Sequence, residues 1–395
     1  MTGKLPIVVL ASSAWTGRRL NRQHLISGLA QRGWPVVYST GAMYTWERRQ
    51  PQWSATPWRG TSETMEGVLV DQPGRWAPRW QHFPWSDRFA IRLHLNRLLR
   101  LLGNPARDEL ICYVFDPIFL PYVSELGAKY LVFHIYDAFE LTPGFTDEMR
   151  TWEIQLAQKA DLLVATSRGM IGSFPSDLRE RALELPNGVD AKRFMVDAME
   201  CPGDLAEIPK PRISHAGAIN AKIDLDLIIT IATQRPDWHW VLIGKSLLEN
   251  PASERPMGEE VRQWRIVKDL PNVHYLGERS YAQMPAYLHH MDVNTMCYAA
   301  DGVGWWIRGY PLKLHELLAA GKPVVGAPLE TIVPFSHVVE IAKGPQQWME
   351  ALERALYSGG RGTIAERRAE ALKNTWDQRL DVLEARLLKM CGAAI

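Results

Sequence analysis

Short apolar runs alternate with amphipathic stretches along the whole chain. LPIVVL (5–10), PVVYS (35–39), LICYVF (110–115), KYLVFHIYD (129–137), DLLVAT (161–166) and ALELP (182–186) are apolar enough to read as strands covered on both faces. Helical spacing at 18–32 and 146–159 falls between them, the alternation of a parallel sheet with helices on either side. A second series follows: RISHAGAI (212–219), HWVLIG (239–244), NVHYLG (272–277), VNTMCY (293–298), PVVGA (323–327) and HVVEI (337–341). Helices are predicted there at 225–234, 281–291 and 311–320, and amphipathic helices at 348–357 and 363–390.

The pattern predicts two doubly wound α/β units: a first domain over 1–190, a second domain over 191–375, and a final helix over 376–395. The proline- and acid-rich stretch CPGDLAEIPKP (201–211) reads as a linker. Tandem units of this kind imply a cleft, with chemistry in the loops at the carboxyl ends of the strands.

Charge changes the picture more than composition does. Net charge is +1, yet residues 1–110 hold fifteen Lys and Arg against seven Asp and Glu, and eight of the sixteen tryptophans. Basic side chains interleaved with indoles suit a headgroup interface or a lipid-phosphate acceptor; the alternative is a loop-rich insertion packed by its tryptophans. Nucleic acid is disfavoured, since no dense basic run or recognised module accompanies the bias. Cys112, Cys201, Cys297 and Cys391 lie far apart with no CxxC spacing, which fits a reducing cytoplasm. LPIVVL reads as a first strand rather than a signal peptide, and no apolar stretch is long enough to span a bilayer.

The sharpest chemical signal is YPLKLHELLAAGKPVV (310–325). Leu314, Leu317 and Leu318 repeat at helical spacing, Pro311 suits the first position, and Gly321 suits a C-cap. Lys313 then stands where the helix dipole disfavours a cation, a penalty an anion would reverse. Glu316, one turn on, shares its face. The pair reads either as a diphosphate and ribose contact or as a surface salt bridge.

In HAGAINAKID (215–224), Gly217 follows a strand where backbone can approach a phosphate, and Asp224 suits an N-cap. LIGKS (242–246) is no P-loop, because His239 holds the place of the required earlier glycine. HIYDAFE (134–140) ends a strand with two carboxylates: Asp137 reads as a general base or a cap, and Glu140 is a weaker base candidate. His289 and His290 read as surface or packing residues. No metal-ligand spacing stands out, so a metal-independent site is expected.

YPLKLHELLAAGKPVV resembles the donor-site helix of GT-B glycosyltransferases, and ELPNGVDAKRF (184–194) resembles the segment these enzymes carry at the domain junction. With the Gly217 loop and LGERSYAQMPAYLHHMDV (276–293), the likeness covers most of the second domain. It implies two Rossmann-like domains and a nucleotide-diphosphate sugar, UDP-linked, as donor. Carried over, Lys313 meets the diphosphate, Glu316 the ribose, and Gly217, Ile219 and Lys222 belong to the phosphate loop. Glu278 and Tyr298 face the nucleoside or its sugar. The last helix, from Trp376, returns to the first domain.

Arg308 occupies the place where retaining relatives usually carry a second glutamate. That departure points to the inverting xanthan-pathway glucuronosyltransferase type, which is similar around VFHIYD, and there Asp137 is the base. Arg18, Asn21 and Arg22 are the acceptor contacts, the acceptor being a glycan or lipid-linked hydroxyl, at the inner face of the membrane. The alternatives are a retaining transferase of the same fold, a non-catalytic nucleotide-sugar-binding subunit of a polysaccharide assembly complex, and a nucleotide-sugar epimerase.

Overall fold

A computed structural model describes residues 4–17, 19–50, 52–142, 144–248, 258–301 and 304–392. The chain forms two compact units: Met1–Pro186 with Asp377–Ile395, and Asn187–Trp376.

The first unit holds strands β1 (Ile7–Leu10), β2 (Val36–Ser39), β3 (Thr61–Met65), β4 (Val68–Gln72), β5 (Ile111–Val114), β6 (Tyr130–Ile135), β7 (Leu162–Ala165) and β8 (Leu183–Glu184). Their order across the sheet is β3-β4-β2-β1-β5-β6-β7-β8. All pairings are parallel except β3 with β4. Each of the six apolar runs is a strand. β3 and β4 escape the hydrophobic pattern because β3 is almost wholly exposed and polar, so no apolar alternation marks it. Their turn, Glu66-Gly67, has positive φ at both residues, as a two-residue hairpin requires.

The helix Pro84–Leu101 is likewise absent from the sequence reading, although it buries Ile91, Leu95 and Leu98. His94 and Arg97 from this helix and Ser39 from β2 all bond Asp71 of β4, at 2.8, 2.8 and 2.9 Å. Burial opposes the Asp71 charge, but these bonds outweigh it and hold the carboxyl below the usual range. The segment is therefore locked into the unit. Its tryptophans nevertheless face outward: Trp46, Trp58, Trp76, Trp80 and Trp85 are exposed, whereas Trp15 and Trp34 are buried.

The amphipathic stretch 363–390 is two helices, the second of them starting at Trp376. Ile364–Leu372, capped by Thr363 and Glu366, belongs to the second unit; Trp376–Met390 lies on the first, burying Leu380, Leu383 and Leu387. Gly28 makes room for it, since a Cβ there would stand 2.2 Å from Leu380 Cδ1. Glu384 fastens it, pairing with Lys4 at 2.7 Å and Arg32 at 2.9 Å and accepting from Trp34 Nε1 at 2.9 Å.

The second unit is a parallel sheet of six strands: β9 (Arg212–Ala216), β10 (His239–Ile243), β11 (Val273–Gly277), β12 (Val293–Met296), β13 (Val324–Gly326) and β14 (Glu340–Ile341). The order is β11-β10-β9-β12-β13-β14. All six were legible as apolar runs, while the helix Glu259–Asp269 was not. Trp238, Trp240, Trp264 and Trp348 fill its core.

The presumed linker is a correction. Residues 201–211 pack into this unit: Leu205 and Ile208 are buried, and Asp204 bonds Arg279 and Tyr287. Its prolines mark a bent, packed course, not a flexible one. The NGVD segment closes the unit instead. Gly188 lies so near Thr375 and Trp376 that a Cβ would meet their backbone at 2.9 Å, and Val189 bridges Thr375.

Candidate functional site

In the second sheet the strand order reverses between β9 and β12, the point where open α/β sheets receive ligands. Near the ends of these strands stand His215, the penultimate residue of β9, and Cys297, the residue after β12, whose Nδ1 and Sγ are 3.3 Å apart. Burial, then Lys222 and Lys313 nearby, push the His215 pKa down to about 3; burial pushes the Cys297 thiol up to about 12. Both groups are neutral, and His215 Nε2 is buried without a partner among the described residues.

After β9 the chain turns at Gly217, φ +153°, into the 217–224 loop. Gly217 N–H donates to Ile243 O at 2.8 Å and Ile219 N–H to Lys245 O at 3.0 Å. Farther on, Ala299 N–H donates to Lys222 O at 2.9 Å, and Ile223 pairs with Tyr298. The loop is thus stretched between the exits of β10 and β12. Asp224 caps the helix Leu225–Gln234 through the Leu227 N–H at 2.9 Å. Ile219 is fully buried with its N–H already donated, so it shapes the phosphate loop without offering a donor. Gly244 of LIGKS serves packing, its N–H bonded to Gly277 O at 2.8 Å.

The helix carrying Lys313 spans Lys313–Ala319, two residues later than Pro311 implied. Gly321, φ +77°, follows its end. Lys313 Nζ stands 3.2 Å from Glu316 Oε2, yet that oxygen is buried and accepts no hydrogen bond. Upstream, Asn187 Nδ2 donates to Tyr310 O at 2.7 Å and Tyr310 Oη meets His315 Nε2 at 2.7 Å, so the junction motif orients this helix.

These elements converge. Lys222 Nζ lies over the rings of Tyr298, at 5.3 Å, and Trp305, at 5.8 Å. Tyr298 packs edge-on against His215 with centroids 6.3 Å apart. Burial, then Cys297 and Glu316, raise the Tyr298 pKa. His215, Lys222, Tyr298, Lys313 and Glu316 therefore share one neighbourhood at the switch point. Glu278 is exposed just after β11, its carbonyl bonded by Arg279 Nη1 at 3.0 Å, and among the described residues no contact joins it to that group. His215 escaped the sequence reading; its place at the end of β9, one residue before Ala216-Gly217, was the available signal.

In the first unit, Asp137 follows β6 and is half-buried, with Oδ1 accepting the Ala138 N–H at 3.0 Å. Glu140 instead accepts from Ser173 Oγ at 2.5 Å and pairs with Arg150 at 3.2 Å. Asn21 and Arg22 are buried at the start of the helix Asn21–Gln31; Arg18 lies outside the described residues. Among the described residues no three His, Cys, Asp or Glu side chains cluster as metal ligands do, and no helix is long and apolar enough to cross a membrane.

Residues 211–357 match the family model "Glycosyl transferases group 1". Over 238 residues, 58% of this chain and 57% of the relative, the sequence is 26% identical to TuaH of Bacillus subtilis (strain 168), named as a candidate teichuronic acid biosynthesis glycosyltransferase. The match thus spans little more than half of that relative's length. Among solved structures, HepE of Anabaena in complex with UDP and glucose superposes with a TM-score of 0.69 at 16% identity, over 98% of this chain and 100% of the other. Sucrose-phosphate synthase of Thermosynechococcus elongatus gives 0.71 at 14%, over 99% and 100%. Two parallel α/β sheets of this kind define the GT-B class of glycosyltransferases, and the chain has that fold. Within that fold, residues 211–357 are the stretch similar to the glycosyl transferases group 1 family.

Proposed function

We propose that this protein transfers a glycosyl group from a UDP-linked sugar to a hydroxyl of a glycan or lipid-linked acceptor, with inversion and without a metal. One observation carries the reading: within the group 1-like stretch, Lys222 and Lys313 converge on the β9/β12 switch point beside a buried Glu316 oxygen with unused accepting capacity. Two cations there suit a diphosphate, and the Glu316 oxygen, ion-paired with Lys313 but accepting no hydrogen bond among the described residues, suits a ribose hydroxyl. UDP and UDP-glucose occupy HepE in its solved complexes, which supports uridine as the base here.

In the proposed reaction Asp137 takes the proton of the acceptor hydroxyl as its oxygen attacks the anomeric carbon, and the bond to the diphosphate breaks. Lys313 stabilises the charge that develops on the departing UDP, an electrostatic role that makes a metal unnecessary. Gly217 and Ile219 set the course of the phosphate loop; Glu278 and Tyr298 flank the nucleoside or sugar; Asn21 and Arg22, with Arg18, contact the acceptor.

The acceptor side is proposed to work at the inner face of a membrane. Trp85 and Phe89, one turn apart on Pro84–Leu101, are 75% and 58% exposed, with Arg88 and Arg92 beside them. Such a face suits a headgroup layer.

The test is a panel of nucleotide sugars screened for thermal stabilisation, followed by transfer assays with the best donor and determination of the product's anomeric configuration. Stabilisation by a UDP-sugar and an inverted product are expected. A retained configuration would remove Asp137 from its role, and turnover of a nucleotide sugar with no acceptor would favour an epimerase. Donor binding with no transfer to any acceptor would favour the assembly-subunit alternative.

A further inference from the structure

The first sheet reverses its strand order between β1 and β5, and the carboxyl ends of these strands hold polar groups that the donor chemistry leaves unused. Arg22, the second residue of Asn21–Gln31, is 3% exposed. Its guanidinium lies over the rings of Tyr136, at 4.3 Å, and Phe115, at 5.9 Å. Its Nε and Nη1 are buried and find no hydrogen-bond acceptor, and it forms no ion pair among the described residues.

Asp116 lies close enough to favour the charge but makes no hydrogen bond to it: its oxygens accept from Ser12 N–H at 2.8 Å and Tyr136 O–H at 2.9 Å. Burial opposes the Arg22 charge, but Tyr136 and Asp116 nearby hold its pKa above the ordinary value. The guanidinium keeps Tyr136 as a partner, but two of its buried nitrogens are left without an acceptor; buried donors of a charged group left unmet cost free energy, and folded chains rarely keep them without a use. Two neighbours are also unmet. Ser13 Oγ is buried without a partner, although its carbonyl accepts from Tyr38 O–H at 2.6 Å. His134 stacks on Phe115 with centroids 5.1 Å apart and leaves Nε2 unmatched.

We propose that Arg22, with Ser13 and the first turn of Asn21–Gln31, binds an anionic oxygen group, phosphate or carboxylate, carried by the acceptor. The guanidinium fork matches either group, and the helix N-terminus adds positive potential. Tyr136, stacked on Arg22, directly precedes Asp137, so an acceptor anchored there by its anion has its hydroxyl close to the proposed base. The inference rests on the glycosyltransferase reading and narrows it: the acceptor is charged, as a phosphoryl-bearing lipid carrier or a sugar acid would be.

The test titrates inorganic phosphate, glucuronate and neutral glucose into the protein by calorimetry with UDP saturating, so that the donor site is filled. The wild type is expected to bind at least one anion and not glucose; preference for phosphate marks a phosphoryl acceptor, and preference for glucuronate a sugar acid. Arg22→Met should weaken that binding about tenfold or more, Arg22→Lys less, and both should bind UDP as the wild type does. Absent anion binding, equal binding of glucose, or full anion binding by Arg22→Met would overturn the proposal. So would loss of UDP binding in both variants, which would make Arg22 a packing element. Failure of the wild type to bind UDP would instead sink the donor reading, and the anion titration, run without UDP, would still decide this one.

Discussion

Gly244 rests its α-carbon against the carbonyl of Gly217, so closely that a Cβ would stand 1.8 Å from that oxygen. Both residues have φ between +140° and +160°, and they leave adjacent strands, β10 and β9. Backbone meets backbone there, and the phosphate loop takes its course from the contact. Gly244→Ala should therefore destabilise the protein by at least ~2 kcal/mol, from strain plus displacement of the loop, and weaken UDP binding as well. Gly203→Ala, where nothing lies within 4 Å, should stay within about 0.5 kcal/mol. Chemical denaturation and a UDP titration on the two variants check this.

Asp137→Asn removes a proton acceptor while keeping shape. Transfer should fall roughly 10²–10⁴-fold, the usual contribution of a general base, with UDP affinity unchanged. Glu140→Gln should leave transfer near wild type, since Glu140 is engaged with Ser173 and Arg150. Single-turnover assays at saturating donor separate the two.

Glu384 gives a pH dependence of known sign. Burial works to raise its pKa, but bonds from Lys4, Trp34 and Arg32 outweigh burial and bring it down to about 2. A carboxyl whose folded pKa lies below its unfolded value of 4.5 contributes stability that is complete above pH 4.5 and vanishes as pH falls toward 2. Glu384→Gln should therefore cost roughly 1–2 kcal/mol at pH 7, allowing for solvent screening, and the two melting curves should converge as pH drops through that window.

Trp85→Ala combined with Phe89→Ala removes two exposed rings on one helical face. Co-sedimentation with anionic lipid vesicles should fall severalfold, at unchanged melting temperature and UDP affinity. Equal sedimentation would place the membrane contact elsewhere or remove it.

The fold was legible wherever strands are buried on both faces, because such strands are continuous apolar runs; β1, β6, β9 and β12 are of this kind. It was not legible at β3, an exposed edge strand without an apolar stripe, or at 201–211, where proline and acid composition resembles a linker although Leu205 is buried. In the second unit Lys313, Glu316, Lys222 and Tyr298 stand in one neighbourhood, and they were nameable from the sequence because helix and loop spacing are local properties. His215 and the partly unmatched Arg22 guanidinium were not readable in the same way. Their significance lies in which polar atoms lack partners, and that depends on neighbours distant in the chain, such as Phe115 and Tyr136 for Arg22; a single sequence does not display it.

The central claim is that a diphosphate is held at Lys313. Calorimetric titration of UDP into the wild type and Lys313→Ala tests it most directly. A charge-assisted contact of this kind contributes roughly 1.5–3 kcal/mol, so the variant should bind UDP about 10- to 100-fold more weakly while binding uridine as the wild type does. Equal affinity of the two proteins for UDP would contradict the account.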